Sequence, residues 1–110
     1  MNPLKTLSLS TAIALMSSAG SAVAAEDAAL DGALLFKTKA CFSCHGPDGR
    51  TPIMPLYPKV AGQNADYVYN QLRDIKNGAR ANGQSIAMKG IMAGVAEEEM
   101  RVLADWLATQ

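Results

Sequence analysis

Histidine occurs once in this 110-residue chain and cysteine only twice. That scarcity narrows the metal chemistry available. A zinc site needs about four N, S or O ligands, and no second cluster completes a set begun by three residues. Strand-like alternation is missing, and with it the βαβ setting that a thioredoxin-like Cys pair would need. Repeats and low-complexity tracts are also lacking. No apolar run reaches the ~20 residues of a membrane-spanning helix. The formal charge is +0, with ten basic and ten acidic residues, so no overall excess of positive charge points to nucleic acid.

What is present is concentrated in one place. Both cysteines and the single histidine fall in Cys41-Phe42-Ser43-Cys44-His45. Cys-x-x-Cys-His is the attachment run of a c-type haem: two thiols bond to the haem edge and the adjacent imidazole meets the iron. A zinc reading leaves three neighbouring ligands in one turn, a poor tetrahedron. A plain Cys41–Cys44 disulfide leaves His45 without a purpose. The expected cofactor is therefore one covalently bound haem c.

The first residues read as an export signal. Lys5 is followed by an apolar stretch through Leu15 and Met16, then by the small residues Ser-Ala-Gly-Ser-Ala-Val-Ala-Ala. This is the order of a secretory leader. Ala22-Val23-Ala24 fits the cleavage pattern, with cutting before Ala25. The expected organisation is a signal peptide over 1–24 and one domain over 25–110, without stable membrane insertion after cleavage. A periplasmic destination follows, oxidising and suited to haem attachment. A domain this small is marginal alone, and a buried haem would supply part of its core.

The remaining pattern predicts helices joined by loops. Asp27 or Asp31 can cap a first helix rich in Ala and Leu. Gly32 and Phe36 share one of its faces. Glycine is costly inside a helix, so close approach of another helix is expected there. Gly46-Pro47-Asp48-Gly49 reads as a turn, and Pro52, Pro55 and Pro58 forbid regular helix beyond it. Asn64 caps a second helix in which Tyr67, Val68, Gln71, Leu72 and Ile75 recur at helical spacing, and Gly78 stops it. Residues 79 to about 94 read as irregular. A last helix runs from about Ala96 to Ala108. Glu97, Glu98 and Glu99 suit its N-terminal end, and Met100, Leu103, Trp106 and Leu107 form its apolar face.

Residues 25–110 resemble the class I bacterial cytochromes c, of the cytochrome c-553 and cytochrome c4 kind. The resemblance runs from about Gly32 to Leu107. It rests on Cys-x-x-Cys-His-Gly-x-Asp-Gly at 41–49, Tyr57-Pro58-Lys59-Val60-Ala61-Gly62-Gln63, Tyr67-x-x-x-Gln71-Leu72, Lys76-Asn77-Gly78-Ala79-Arg80, and a Met ahead of a C-terminal helix bearing Trp106. It implies an all-α fold, about three main helices around one haem. The first and last helices are expected to cross near Gly32, Phe36, Leu103 and Trp106.

The resemblance also implies iron held between His and Met, a ligation that suits a carrier. Met100 reads as core, and Met54 as packing near the haem. Met88-Lys89-Gly90-Ile91-Met92-Ala93-Gly94-Val95 overlays the family register with Met88 in the ligand place and Met92 as the fallback. Pro58 matches the proline whose carbonyl accepts a hydrogen bond from the haem histidine. Arg80 matches a position near the haem propionates. The family's usual Ser or Asp cap before the last helix is Ala96 here, which predicts a weakly capped start.

The function expected is electron carriage between redox proteins, with no substrate transformed. A dedicated haem subunit of a periplasmic dehydrogenase is the alternative. A haem enzyme or gas sensor would need an open iron position, against which a Met88 ligand argues. Within 25–110 the charge is uneven. Lys37–Lys89 carries eight basic against three acidic residues, net +5, while each flank is −3. A basic surface at the haem edge, docking an acidic partner, is the expectation.

Overall fold

Asp31 opens the first helix in the computed structural model, which describes residues 30–110. Its carboxylate accepts the Leu34 N–H at 2.9 Å, capping α1, Gly32–Thr38. Asp27 and the expected leader with its cleavage point lie outside the described residues. The haem-attachment run forms a helical turn of its own, α2, Phe42–His45. The chain enters it through Ala40, whose φ of 62° lies in the left-handed region.

The loop after His45 is organised by backbone hydrogen bonds rather than by helix. Gly46 (φ 81°) turns so tightly that a Cβ there would sit 2.1 Å from the Thr51 carbonyl oxygen. The Gly49 carbonyl then accepts the N–H groups of Val60, at 2.9 Å, and Ala61, at 3.1 Å. These bonds draw the proline-rich segment back against the haem run.

α3 spans Ala65–Asn77 with the expected ends: the Asn64 side chain accepts the Tyr67 N–H, and Gly78 closes the helix in the left-handed conformation. α5 spans Glu97–Ala108. Ala96 has no side-chain oxygen to cap it. The Glu99 carboxylate reaches back to the Ala96 N–H at 2.9 Å, so the half of a capping box that needs no polar cap residue is in place.

One segment departs from the sequence reading. Residues 79–94 are not irregular throughout: they contain α4, Ser85–Met92. The helix is hard to see in sequence because Gln84 provides no side-chain cap, Gly90 lies inside it, and no acidic residue occupies its first turn.

α5 packs against α1 and α3, and α3 packs against α4. The α1–α5 crossing falls where the resemblance implies. A Cβ on Gly32 would meet the Trp106 Cβ at 2.3 Å, and the Phe36 and Trp106 rings lie 5.1 Å apart at 44°. Leu35, Phe36, Val68, Ile75, Met92, Val95, Met100, Leu103, Ala104 and Leu107 form one core. The described residues are helical with no strand among them, as expected of an all-α domain.

Candidate functional site

The core is open on one side. Two cavities, of about 190 and 530 Å³, lie next to each other there. The smaller is walled by Phe36, Leu103 and Leu107 and by the face of α3 that carries Tyr67, Val68, Gln71, Leu72 and Ile75. The helical spacing seen in the sequence is thus the spacing of a cavity wall. The larger lies between the proline-rich loop, at Leu56, Tyr57 and Pro58, and α4 with the turn before it.

Four residues line both cavities: His45, Pro58, Arg80 and Met88. Cys41 lines the smaller and Cys44 the larger. The residues singled out from sequence therefore converge on the junction of the two cavities, although they come from four separate segments.

His45 is 6 % exposed. Its Nδ1 lies 2.8 Å from the Pro58 carbonyl oxygen, which makes Nδ1 the N–H donor and leaves Nε2 as the lone-pair nitrogen. Such a bond fixes the ring and raises its basicity as a metal ligand. Arg80 donates from Nη1 to Gln71 Oε1 at 3.0 Å, which holds the guanidinium at the junction.

Met88 and Met92 stand one turn apart on the same side of α4, together with Ser85. Met92 is 1 % exposed and belongs to the core, while Met88 is half-buried and borders both cavities. Met100 is core, as read from the sequence. Met54 is 48 % exposed and lines neither cavity. Asn82 and Gln84, in the turn before α4, and Ser85, Ala87 and Ile91, on it, line the larger cavity and were missed in the sequence, because this whole segment reads as irregular there.

Cys41 and Cys44 are free thiols. Burial pushes the Cys41 thiol up to about 11, with a smaller opposing effect from a backbone hydrogen bond. A thiol held protonated at neutral pH is a poor thiolate nucleophile or zinc ligand. Among the described residues no group of three or more His, Cys, Asp or Glu side chains could hold a metal ion by itself. The donor set fits a haem instead: two part-buried thiols on adjoining cavities, one imidazole with a defined lone pair, one thioether and apolar walls.

Comparison with known proteins agrees. Residues 29–110 match the Cytochrome c family. The chain is 37 % identical over 91 residues to cytochrome c4 of Pseudomonas aeruginosa, covering 83 % of this chain and 42 % of that protein. It is 30 % identical over 92 residues to cytochrome c-554(548) of Halomonas halodenitrificans, covering 84 % of this chain and 99 % of the relative. Reduced recombinant cytochrome c4 from Pseudomonas stutzeri has a similar solved structure. It matches with a TM-score of 0.63 and 28 % identity over 76 % of this chain and 48 % of that one. The chain thus spans less than half the length of these cytochrome c4 proteins, and nearly all of the shorter relative.

Proposed function

This chain belongs to the cytochrome c family, and from that premise we propose that it is a periplasmic monohaem electron carrier. In this reading Cys41 and Cys44 would hold haem c covalently, and His45 and Met88 would be the ligands of its iron. The observation that carries the proposal is the shared lining of the two cavities. His45 and Met88 both reach their junction, with one cysteine on each side.

When bound, the haem supplies a one-electron Fe(II)/Fe(III) couple, and the side chains around it have separate tasks. His45 offers Nε2 while Pro58 keeps its other nitrogen engaged. Met88 would offer a thioether, a ligand type that raises the potential of a haem and suits a carrier. Arg80, steadied by Gln71, offers a guanidinium to the haem carboxylates. The apolar walls from Phe36, Val68, Leu72, Ile75 and Leu103 would shield a bound haem from water on that side.

Partner encounter is proposed at the rim of the larger cavity. Leu56 and Ile91 line it and are 58 % and 43 % exposed. Lys59 and Lys89, exposed neighbours of Pro58 and Met88, would provide the positive field that steers an acidic partner. The net +5 of the middle segment overstates that field. Lys39, Arg50 and Lys76 bond to backbone carbonyls elsewhere in the fold. If electron-transfer rates do not fall as salt rises, the acidic-partner reading is wrong.

A periplasmic location is supported by the leader-like first residues and the bacterial relatives. Among the described residues no helix is long and apolar enough to cross a membrane. The second reading, a dedicated partner of a dehydrogenase, is favoured by one relative from Stutzerimonas stutzeri. It is named a thiosulfate dehydrogenase electron acceptor and is 38 % identical over 65 residues, 59 % of this chain and 29 % of that protein. Co-purification of a catalytic subunit in stoichiometric amount would favour it over a free carrier.

The ligand assignment is tested by optical spectra of the ferric holoprotein and its Met88→Ala variant. The methionine–iron charge-transfer band is expected to vanish in the variant. Its survival would overturn Met88 and move the assignment to Met92.

A further inference from the structure

We propose that Lys39 is a positioning residue for Met88, a strut between the segment that enters the haem run and the end of the helix that carries the methionine. The inference rests on the reading of Met88 as an iron ligand and concerns what holds it in place.

Lys39 is the C-cap of α1, two residues before Cys41. Its Nζ donates to the Gly94 carbonyl at 2.7 Å and lies 3.3 Å from the Glu99 carboxylate. Gly94 is two residues past Met92, where α4 ends. The next carbonyl, that of Val95, accepts from Nζ of Lys76 on α3. The N–H after it, that of Ala96, donates to Glu99 on α5. Three consecutive residues are thus gripped by three charged side chains, each from a different helix.

Apart from its packing against α3, the rest of α4 has little to fix it. It is eight residues long, has no side-chain N-cap, and buries only Ser85 and Met92. Much of its surface is exposed, with Ile86 at 67 % and Ile91, on the larger cavity, at 43 %. A short helix of this kind takes its position from its anchored end. Met88 stands one turn before Met92 and six residues before the first gripped carbonyl, that of Gly94. Of the three, Lys39 is the one whose own backbone leads into Cys41, so it ties the cysteine side of the cavities to the methionine side.

The bond is also built to last. Hydrogen bonds from an ammonium group are stronger than neutral ones. The Lys39–Glu99 pair, with side chains 28 % and 19 % exposed, is the most covered ion pair among the described residues. Covered pairs are screened less by salt.

Imidazole titration of the ferric holoprotein tests the strut. Added imidazole takes the iron position that Met88 vacates, so its apparent affinity reports the fraction of molecules with Met88 displaced. Lys39→Ala is expected to tighten imidazole binding about tenfold, the size of one lost hydrogen bond to a charged group. Glu99→Gln keeps an acceptor for Ala96 and removes the counter-charge of Lys39, so it should shift the affinity the same way. Lys39→Arg should restore most of the wild-type value.

Arg101→Ala is the control. It breaks the α5 contacts to Asp66, Asp105 and the Tyr69 ring and leaves the bonds of Lys39, Lys76 and Glu99 in place, and should leave imidazole affinity unchanged. An unchanged affinity in Lys39→Ala would overturn the strut. So would shifts in Lys39→Ala and Arg101→Ala that scale alike with their stability losses. Met88→Ala separates the two readings: a charge-transfer band surviving there refutes the ligand, whereas its loss there with wild-type imidazole affinity in Lys39→Ala refutes only the strut.

Discussion

Replacing Gly32 with alanine sets two effects of opposite sign against each other. Helix propensity alone favours the change by at most about 1 kcal/mol, the interior value, because alanine is the better helix former and Gly32 is the first residue of α1. Packing opposes it. The new Cβ would lie 2.3 Å from Trp106 Cβ, 2.7 Å from Trp106 Cγ and 3.1 Å from the Val102 carbonyl oxygen. Ordinary carbon contacts are ~3.5–4.0 Å, so relief requires a shift on the order of 1 Å. Trp106 Cβ is attached directly to the backbone of α5, so no rotamer change moves it away. The helices must part instead. Overpacking of this kind costs ~1–3 kcal/mol. Parting the helices also weakens the Phe36–Trp106 ring contact, worth ~0.5–1.5 kcal/mol. The net expectation is a loss of about 2 kcal/mol, or roughly 8–16 °C in melting midpoint for a domain of this size. Thermal unfolding of the holoprotein followed by far-ultraviolet circular dichroism measures it. The exposed neighbour Ala33 is the control, where Ala→Gly should itself destabilise by about 1 kcal/mol. A Gly32→Ala protein as stable as the wild type would refute the close crossing of α1 and α5.

Two other positions make separate predictions. Ala40 holds a φ of 62° just before the cysteine run, so Ala40→Gly is expected to stabilise the holoprotein by roughly 0.5–1 kcal/mol, read as a higher urea midpoint at unchanged slope; a lower midpoint would contradict the strained backbone. The Glu99 carboxyl is held below its ordinary value, chiefly by the Ala96 N–H and then by Lys39. Its contribution to stability is therefore complete above the ordinary glutamate range and is lost as pH falls through the lowered value. Acid unfolding of Glu99→Gln should show a shallower pH dependence in that window than the wild type, and parallel curves would count against the interaction.

The haem run illustrates what local sequence can carry. Cys41, Cys44 and His45 need only one helical turn to present two thiols and an imidazole together, so their spacing already states their chemistry. The ends of α3 were equally legible, because Asn64 and Gly78 act on backbone groups within a few residues. α4 was not. Its eight residues lack caps and favourable charges, and it is held by contacts with residues distant in the chain. The summed charge of a segment is a coarse guide for a related reason. Net charge along a segment does not reveal which lysines turn inward, and Lys39 and Lys76 are occupied with carbonyls at the α4–α5 joint.

The sequence by itself determined the cofactor chemistry, the helical class and the two methionines between which a ligand choice had to be made. It did so because thiol spacing, capping residues and apolar periodicity are local properties. Only the tertiary structure decided where those two methionines go. Met88 and Met92 share one face of α4, and the packing of α4 against α3 sends Met92 into the core and leaves Met88 at the junction that His45 borders. That separation depends on where a short helix is anchored, a matter of contacts with Lys39, Lys76 and Glu99 that no stretch of sequence around Met88 contains.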